Sequence, residues 1–436
     1  MDRARETAAK ILLKIELDGA YSSFSLNETL KQYPGSDKDN SFITALVYGV
    51  CERKITLDYN LSLYLKSPLK KLHPGVLTYL RLGAYQILFA DRIPDRAAIN
   101  ESVELAKKNK LAFAAGLINA VLRKLASEGL KLPDENDKEA YLAVKYSCPV
   151  DLLRLYINSY GIEKAEAILK ASVGKRPVFI CVNTVRCSEE ALVKSLQAKE
   201  ITVNPTAIRG CCTVENTGDI TALEEYKNGW FFVQDLSSRT ACEILGAMPG
   251  DILVDCCAAP GGKSFSSAVR MENRGKVYSC DIYPHKTDLI EKGAQRLGLT
   301  CISPVCSDAL KLKHTIHTAD RVLCDVPCSG LGVIGRKPEI KYRPLKEISD
   351  LPAIQLNLLE NCCEMVCSGG VLVYSTCTLN PAENEDVCDA FLLRHPEFKL
   401  CNDGFYAELK GDNDYLTIFP SEEGGDGFFT AKFIRS

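Results

Sequence analysis

The sequence has no uninterrupted apolar run of about 18 residues, the length that a membrane-spanning helix needs. An apolar segment with a small-residue cleavage site is also missing behind the N-terminus. Hydrophobic residues make up 46% and charged residues 25% of the 436 residues, as in ordinary soluble globular proteins. We therefore expect a cytoplasmic protein of two or three domains that does not bind a membrane.

The spacing of metal ligands is missing as well. Histidine is scarce, with 5 residues, and none of the 20 cysteines forms a Cys-x-x-Cys pair. The adjacent residues Cys256 and Cys257 lack the spacing of zinc ligands. Cys181 and Cys324 lie inside apolar strand-like runs, where a free thiol packs as a small hydrophobic group. We therefore expect neither a metal site nor a disulfide framework.

Pyrophosphate-binding fingerprints are absent, but one segment has the composition of a cofactor loop. The strand-like run of residues 252–256 leads directly into Cys257, Ala258, Ala259, Pro260, Gly261, Gly262 and Lys263. Small residues after a strand let the backbone approach a ligand, although this loop is neither a Gly-x-Gly-x-x-Gly nor a Walker sequence. By itself the loop is equally compatible with a tight turn that binds nothing.

Two acidic residues favour the ligand-binding interpretation. Asp281 ends a predicted strand about 20 residues after the glycines, where a carboxylate usually accepts hydrogen bonds from ribose hydroxyls. Asp308 follows the next predicted strand, in a position suited to the edge of an adenine. Because the pyrophosphate loop is absent, the two residues predict S-adenosylmethionine rather than a nicotinamide dinucleotide as the cofactor.

The pattern of apolar residues divides the chain into three parts. Residues 1–130 have helical periodicity throughout, and residues 140–235 mix helices and strands in a small α+β module. In residues 236–436, strand-like runs alternate with helical stretches, which predicts a parallel, doubly wound α/β sheet closed by a C-terminal hairpin. Such sheets bind their ligands at the carboxyl ends of the strands.

Charge is distributed unevenly along the chain. Residues 1–127 hold 19 Lys and Arg against 13 Asp and Glu, although the whole chain has a net charge of −3. A basic part of an acidic protein indicates a polyanionic partner, although a solvated helical surface explains the same excess.

Three reactive side chains follow two neighbouring predicted strands. Asp325 and Cys328 come at the end of the strand-like run 321–326, and Cys377 follows the run 371–376. A thiolate adds to an electron-poor ring carbon, and a nearby carboxylate can hydrogen-bond N3 or the exocyclic amine of a pyrimidine. Either cysteine suits the role of nucleophile, and capping of the following turn is the alternative role for Asp325.

These motifs resemble those of the RNA cytosine-C5 methyltransferases. The resemblance covers Asp-Cys-Cys-Ala-Ala-Pro-Gly-Gly-Lys-Ser, Asp-Val-Pro-Cys-Ser-Gly and Ser-Thr-Cys-Thr-Leu, with the later Glu383-Asn384-Glu385 and the basic stretch 336–341. The helical part, notably residues 80–88 and 98–104, looks like a NusB-type RNA-binding domain. The combination resembles the bacterial group of 16S ribosomal RNA methyltransferases B.

The resemblance implies an N-terminal all-α NusB-like domain, a small linking module and a Rossmann-like domain that uses S-adenosylmethionine. It implies that Cys377 adds to C6 of a cytosine in 16S ribosomal RNA, and that Cys328 assists breakdown of the methylated adduct. Residues 257–263 with Asp281, Asp308 and Asp325 would line the cofactor site. We expect a monomer that acts on naked RNA or on an early assembly intermediate.

Other functions stay open at this point. A non-catalytic RNA-binding factor in ribosome assembly would keep the sheet as a scaffold, although nothing structural requires the cysteines and aspartates at the strand ends. Another RNA, such as tRNA, is an alternative substrate. The lack of a pyrophosphate loop argues against an oxidoreductase. DNA is disfavoured by the resemblance alone, since C5 methylation of DNA also uses a Pro-Cys nucleophile.

Overall fold

The structure is a computed structural model that describes residues 3–18, 26, 28–30, 35–174, 176–402, 404–421 and 424–436. The chain forms two compact units. The first comprises Met1–Val173 and Ile334–Leu345, and the second comprises Gly174–Val333 and Lys346–Ser436. Within the described residues, no helix combines the length and the apolar character needed to cross a membrane.

The first unit is helical in its described elements, as predicted for residues 1–130, but it also contains the helices up to Ala171, which the sequence pattern assigns to the α+β module. Its α-helices are α1 (Arg3–Asp18), α2 (Asp37–Glu52), α3 (Lys54–Ser62), α4 (Pro74–Phe89), α5 (Asp95–Lys108), α6 (Ala115–Glu128), α7 (Lys138–Lys145), α8 (Val150–Tyr160) and α9 (Ile162–Ala171). The apolar faces of α1 to α6 share a core in which Ile43, Leu80 and Leu122 are fully buried. Helix α4 begins at Pro74, whose fixed φ suits the first turn of a helix.

The segment Ile334–Leu345 belongs to this first unit although it follows the first cysteine motif in sequence. Lys341 is buried there and donates a hydrogen bond of 2.7 Å to the carbonyl of Glu52, the last residue of α2. Tyr342 donates one of 2.8 Å to the carbonyl of Cys51. Burial lowers the pKa of Lys341 to about 8. The end of the basic stretch is therefore a packed part of the helical unit.

The second unit begins with a small α+β module, as predicted. Its strands are β1 (Val178–Val182), β2 (Thr202–Pro205), β3 (Cys211–Glu215) and β4 (Phe231–Val233), and its helices are α10 (Glu189–Gln197) and α11 (Glu224–Lys227). The strands form an antiparallel sheet in the order β2-β3-β1-β4. Neither β2 nor β3 was predicted, and the four residues of β2 are mostly exposed and carry no alternating apolar pattern.

The remainder of the second unit contains one large sheet. Its elements are α12 (Leu236–Leu245), β5 (Ile252–Asp255), α13 (Gly262–Arg270), β6 (Lys276–Asp281), α14 (Pro284–Leu297), β7 (Ile302–Cys306), β8 (Ala319–Asp325), α15 (Leu351–Cys363), β9 (Val366–Thr376), α16 (Glu385–Arg394), β10 (Phe398–Leu400), α17 (Gly404–Lys410), β11 (Leu416–Ile418) and β12 (Phe428–Arg435). The strand order is β10-β12-β9-β8-β5-β6-β7. Strands β5 to β9 pair in parallel, and the antiparallel pair of β11 and β12 confirms the predicted hairpin.

Helices cover both faces of this sheet, which confirms the doubly wound prediction. Leu253 and Leu323 share a core with Phe265 of α13 and Ile290 of α14. The alternate strand residues, Val254 and Val322 among them, share the other core with helices α15 and α16. Strand β5 lies at the centre. The chain continues from it to β6 and β7 on one side, and then crosses to β8 and β9 on the other side. A ligand is expected beyond the carboxyl ends of the strands at such a reversal.

Candidate active site

The structure brings the two predicted cysteines together. Strands β8 and β9 run side by side, with Asp325 opposite Ser375 at their carboxyl ends. The sulfur atoms of Cys328 and Cys377 lie 3.3 Å apart. Both residues are half-buried, whereas Cys324 and many of the other cysteines are fully buried. Position at the strand ends therefore sets this pair apart from the packed thiols.

Close backbone contacts fix the loop that follows Cys328. The amide of Gly332 donates a hydrogen bond of 2.9 Å to the carbonyl of Cys377, and its carbonyl accepts one of 2.8 Å from Gly427. A Cβ atom on Gly332 would lie 2.1 Å from the carbonyl oxygen of Gly427. Only glycine allows this approach. The loop that follows Cys328 is therefore hydrogen-bonded directly to the backbone of Cys377.

Asp325 takes part in an ion pair at the end of β8. Its Oδ2 accepts a hydrogen bond of 2.6 Å from the ammonium of Lys263, and its Oδ1 accepts one of 2.8 Å from the hydroxyl of Ser375. Burial, the largest single cause, lowers the pKa of Lys263, but the charge and the hydrogen bond of Asp325, with smaller contributions from Cys242 and Asp255, together raise it overall. The ammonium of Lys263 therefore keeps its charge, and its contact with Asp325 joins the loop after β5 to the end of β8.

The loop of residues 257–263 is a compact turn between β5 and α13. The amide of Ala258 donates to the carbonyl of Cys280 at 2.7 Å, and the amide of Gly261 donates to the carbonyl of Ala258 at 2.7 Å. Gly261 has a φ of 111°, where a side chain is strained. A Cβ atom on it would also lie 2.5 Å from the ring of Phe265. The glycine is therefore required by the shape of the turn.

A buried carboxylate is hydrogen-bonded to the first turn of α13, directly after this loop, and the sequence did not single it out. Asp255, the last residue of β5, is fully buried, and its Oδ2 accepts a hydrogen bond of 2.7 Å from Ser264. The hydroxyl of Ser264 in turn accepts one of 2.8 Å from Ser279 on β6. Burial raises the pKa of Asp255 to about 7. These three residues connect β5, α13 and β6 directly under the loop.

Asp281 and Asp308 lie at the same edge of the sheet. Asp281 is 7% exposed, and its Oδ1 accepts a hydrogen bond of 3.1 Å from the amide of Tyr283. Asp308 comes two residues after β7 and accepts a hydrogen bond of 3.0 Å from the amide of Leu310. Strand residues Asp281 and Cys306 are paired, so both carboxylates flank one edge. Acceptors at this edge fit the hydroxyl and amine donors of an adenosine and the positive charge of a sulfonium.

Sequence reasoning gave no separate role to the residues that join the two cysteine loops. The hydroxyls of Ser329 and Thr378 lie 2.7 Å apart. The Ser329 hydroxyl also donates a hydrogen bond of 2.5 Å to the buried carboxylate of Glu383. The available signal was the Glu383-Asn384-Glu385 run shortly after the second cysteine motif. Its polar residues have no periodicity that tells a buried carboxylate from a solvated one.

Comparison with known protein families identifies three parts of the chain. Residues 242–434 match the family described as 16S rRNA methyltransferase RsmB/F. Residues 2–127 match the NusB family, and residues 148–221 match a ferredoxin-like domain of RsmF/B-like methyltransferases. The helical part, the small module and the large sheet each correspond to a known family.

Individual relatives resemble the whole chain. A Bacillus subtilis (strain 168) protein named probable ribosomal RNA small subunit methyltransferase B is 38% identical, and the alignment covers 98% of this chain and 97% of the relative. A Synechocystis protein of the same name is 33% identical over 100% of both chains. The crystal structure of a methyltransferase homolog protein from Pyrococcus horikoshii has 27% identity and a TM-score of 0.60, and covers 69% of this chain and 99% of its own. The similarity thus extends to the order of all three parts.

Proposed function

This chain belongs to the RsmB/F family of 16S rRNA methyltransferases, and we propose that it transfers a methyl group to C5 of a cytosine in 16S ribosomal RNA. The observation that carries the proposal is the distance of 3.3 Å between the sulfurs of Cys328 and Cys377, beside the ion pair of Lys263 and Asp325. Two adjacent thiols suit a reaction in which a covalent adduct is both formed and broken.

The residues of the sheet edge would hold S-adenosylmethionine and the base. The loop of residues 257–263 would let the backbone approach the cofactor, Asp281 would accept the ribose hydroxyls, and Asp308 would face the adenine. Asp325, in contact with Lys263, would accept a hydrogen bond from the exocyclic amine of the cytosine, or from N3 when N3 carries a proton. The carboxylates therefore divide between the cofactor and the nucleobase.

Cys377 is the proposed nucleophile. Its sulfur forms a bond to C6 of an unpaired or flipped cytosine, and the electrons of the C5–C6 double bond become available at C5. S-adenosylmethionine, when bound, supplies the methyl group that C5 takes up. A base then removes the C5 proton, the double bond re-forms, and Cys377 leaves as a thiolate.

Cys328 is the proposed base. Its hydrogen bond with Cys377, followed by burial, raises its pKa well above the usual value, so Cys328 is protonated in the free protein. Once the sulfur of Cys377 is bonded to C6, it carries no charge, and the first of these causes disappears. The pKa of Cys328 then falls, although burial and the charge of Glu383 still raise it. In the proposed step the half-buried Cys328 thiol gives its own proton to water, and the resulting thiolate removes the C5 proton.

The proposal extends to the parts of the chain that select the RNA. Residues 1–130, as a NusB-like domain, and residues 140–235 would bind RNA by its shape and by contacts to single strands. Residues 236–436 would form the catalytic domain. We propose that the protein acts as a monomer in the cytoplasm, on naked RNA or on an early assembly intermediate.

Bisulfite sequencing of ribosomal RNA tests this function. Cells with the protein are expected to show a cytosine in 16S rRNA that resists deamination, and cells without it to show complete conversion there. Reintroduction of the wild-type chain should restore the resistance. Sequencing of tRNA from the same cells tests the alternative substrate. Identical bisulfite profiles of both RNAs in both strains would contradict C5 methylation.

The cofactor site can be tested separately by calorimetry. Asp281→Ala removes the proposed acceptor of the ribose hydroxyls, and we expect it to weaken S-adenosylmethionine binding about 10- to 100-fold, because hydrogen bonds to charged groups are strong. Asp288→Ala, on the exposed side of α14, is the matched control and should bind like the wild type. Equal affinities for the two variants would remove Asp281 from the site. A wild-type protein that binds no cofactor would favour the non-catalytic assembly factor.

A further inference from the structure

Glu383 lies fully buried between the two loops that carry the cysteines. Its carboxylate accepts hydrogen bonds of 2.8 and 2.5 Å from the backbone amide and the hydroxyl of Ser329. It accepts a third of 3.0 Å from the side-chain amide of Asn380 and a fourth of 2.9 Å from the side-chain amide of Gln355. One carboxylate therefore binds the loop after Cys328 through Ser329, the loop after Cys377 through Asn380, and helix α15 through Gln355.

Each cysteine is directly adjacent to a residue of this network. Ser329 follows Cys328 and Thr378 follows Cys377, and their hydroxyls lie 2.7 Å apart. Because the Ser329 hydroxyl donates its one hydrogen bond to Glu383, it can only accept a hydrogen bond from the hydroxyl of Thr378. The carboxylate thus gives the contact between the two loops a single hydrogen-bond direction.

An ionised carboxylate is the side chain that this site needs. The four groups around Glu383 are all donors, and an ionised carboxylate has acceptor sites only. Glutamine, although similar in size, would turn an amino group toward two of these donors. A buried donor that loses its acceptor is costly, so the surrounding loops would move to satisfy it.

We propose that Glu383 is a positioning residue that sets the spacing and the proton sharing of the two cysteine thiols by holding both of their loops. The proposal rests on the proposed function, since it assigns the two thiols to one reaction. Glu383 acts through Ser329 and Thr378. Its charge also adds to the causes that raise the pKa of Cys328, after the hydrogen bond with Cys377 and burial.

The side chain of Gln355 and the backbone of Glu383 extend the same framework. Gln355 donates a second hydrogen bond of 3.0 Å to the carbonyl of Pro327, the residue before Cys328. The backbone carbonyl of Glu383 accepts a hydrogen bond of 2.6 Å from the hydroxyl of Tyr374 on β9. Both sides of the first cysteine are therefore held from one point, and that point is anchored to the strand that ends before the second cysteine.

The test compares the full-length wild-type protein with Glu383→Gln in two assays. The first needs no RNA: both proteins are treated with iodoacetamide at neutral pH, and mass spectrometry follows alkylation of Cys328 and Cys377. In the wild type we expect slow alkylation of Cys328, because thiols react as thiolates and this one is held protonated. In the variant the rate at Cys328 should rise toward that of Cys377.

The second assay measures methyl transfer to RNA. Glu383→Gln is expected to lower kcat by about 100-fold, the scale of a misplacement of about 1 Å, with the KM for S-adenosylmethionine unchanged. The matched control is Glu385→Gln, two residues along the chain, where the carboxylate contacts Thr417 of β11 rather than either cysteine loop. It should match the wild type in both assays.

The outcomes separate this inference from the proposed function. Loss of cofactor binding by Glu383→Gln would indicate that this variant does not fold. Asn380→Ala then decides instead, since it removes one of the four hydrogen bonds and should give a smaller change in the same direction. Unchanged kcat together with unchanged relative alkylation overturns the role of Glu383. If the wild type fails to methylate RNA, the proposed function fails, while the alkylation rates still decide whether Glu383 positions the thiols.

Discussion

Cys377→Ala is expected to abolish methyl transfer to RNA. The substitution removes the sulfur that is proposed to bond to C6, and without this bond C5 of a cytosine is too electron-poor to take a methyl group. Loss of a covalent nucleophile typically costs on the order of 10⁴-fold or more in kcat. The measurement is incorporation of labelled methyl groups from S-adenosylmethionine into 16S rRNA that lacks the modification.

The matched control for this prediction lies on β9, the strand that Cys377 directly follows. Cys367→Ala changes a half-buried cysteine near the start of β9, at the end opposite to Cys377, and should leave the rate unchanged. Calorimetric binding of S-adenosylmethionine should be the same in both variants, because the nucleophile is not placed in the cofactor site. Methylation by Cys377→Ala at a rate near that of the wild type would remove Cys377 from the role of nucleophile.

The sequence predicted the scaffold of the site because the scaffold depends on local patterns. The apolar run at residues 321–326 corresponds to β8 (Ala319–Asp325), and the parallel pairing of β8 with β9 places the two cysteine motifs side by side. Strand β9 begins at Val366, earlier than the predicted run, because the turn residues Gly369 and Gly370 interrupt the apolar pattern without ending the strand. Periodicity therefore found the strand but not its start.

The contacts inside the site could not be predicted, because they join residues far apart in the chain. The partner of Asp325 is Lys263, on a loop after another strand, and the sequence alone left a turn cap open as an alternative role. The four hydrogen bonds of Glu383 come from three separate segments. Buried polar residues are of the same types as polar residues on the surface, so the apolar patterns that reveal a core do not detect them.

The same reason explains the placement of the basic stretch. A lysine in a polar run reads as exposed, since lysine is rarely buried without a partner. Lys341 is nevertheless buried, because the carbonyl of Glu52 at the end of helix α2 accepts a hydrogen bond from its ammonium group. This carbonyl also carries part of the negative end of the helix dipole. Such a partner exists only once the chain has folded.

Cys328→Ala is expected to accumulate a covalent protein–RNA complex that survives denaturation. The nucleophile Cys377 is intact in this variant, so the bond to C6 forms and C5 is methylated. The base proposed to remove the C5 proton is missing, and loss of a general base slows a step by about 100-fold or more. The measurement is a denaturing gel of variant protein with labelled RNA and S-adenosylmethionine, in which the complex migrates above the free RNA.

The double variant Cys328→Ala with Cys377→Ala provides the control, because a complex that depends on the bond to Cys377 must disappear in it. The distance of 3.3 Å between the sulfurs makes the opposite assignment geometrically possible, and the gel distinguishes the two assignments. A complex trapped by Cys377→Ala instead of Cys328→Ala would exchange the two roles. Normal turnover by Cys328→Ala without any complex would show that another group removes the C5 proton, since the adduct must lose that proton before Cys377 can leave.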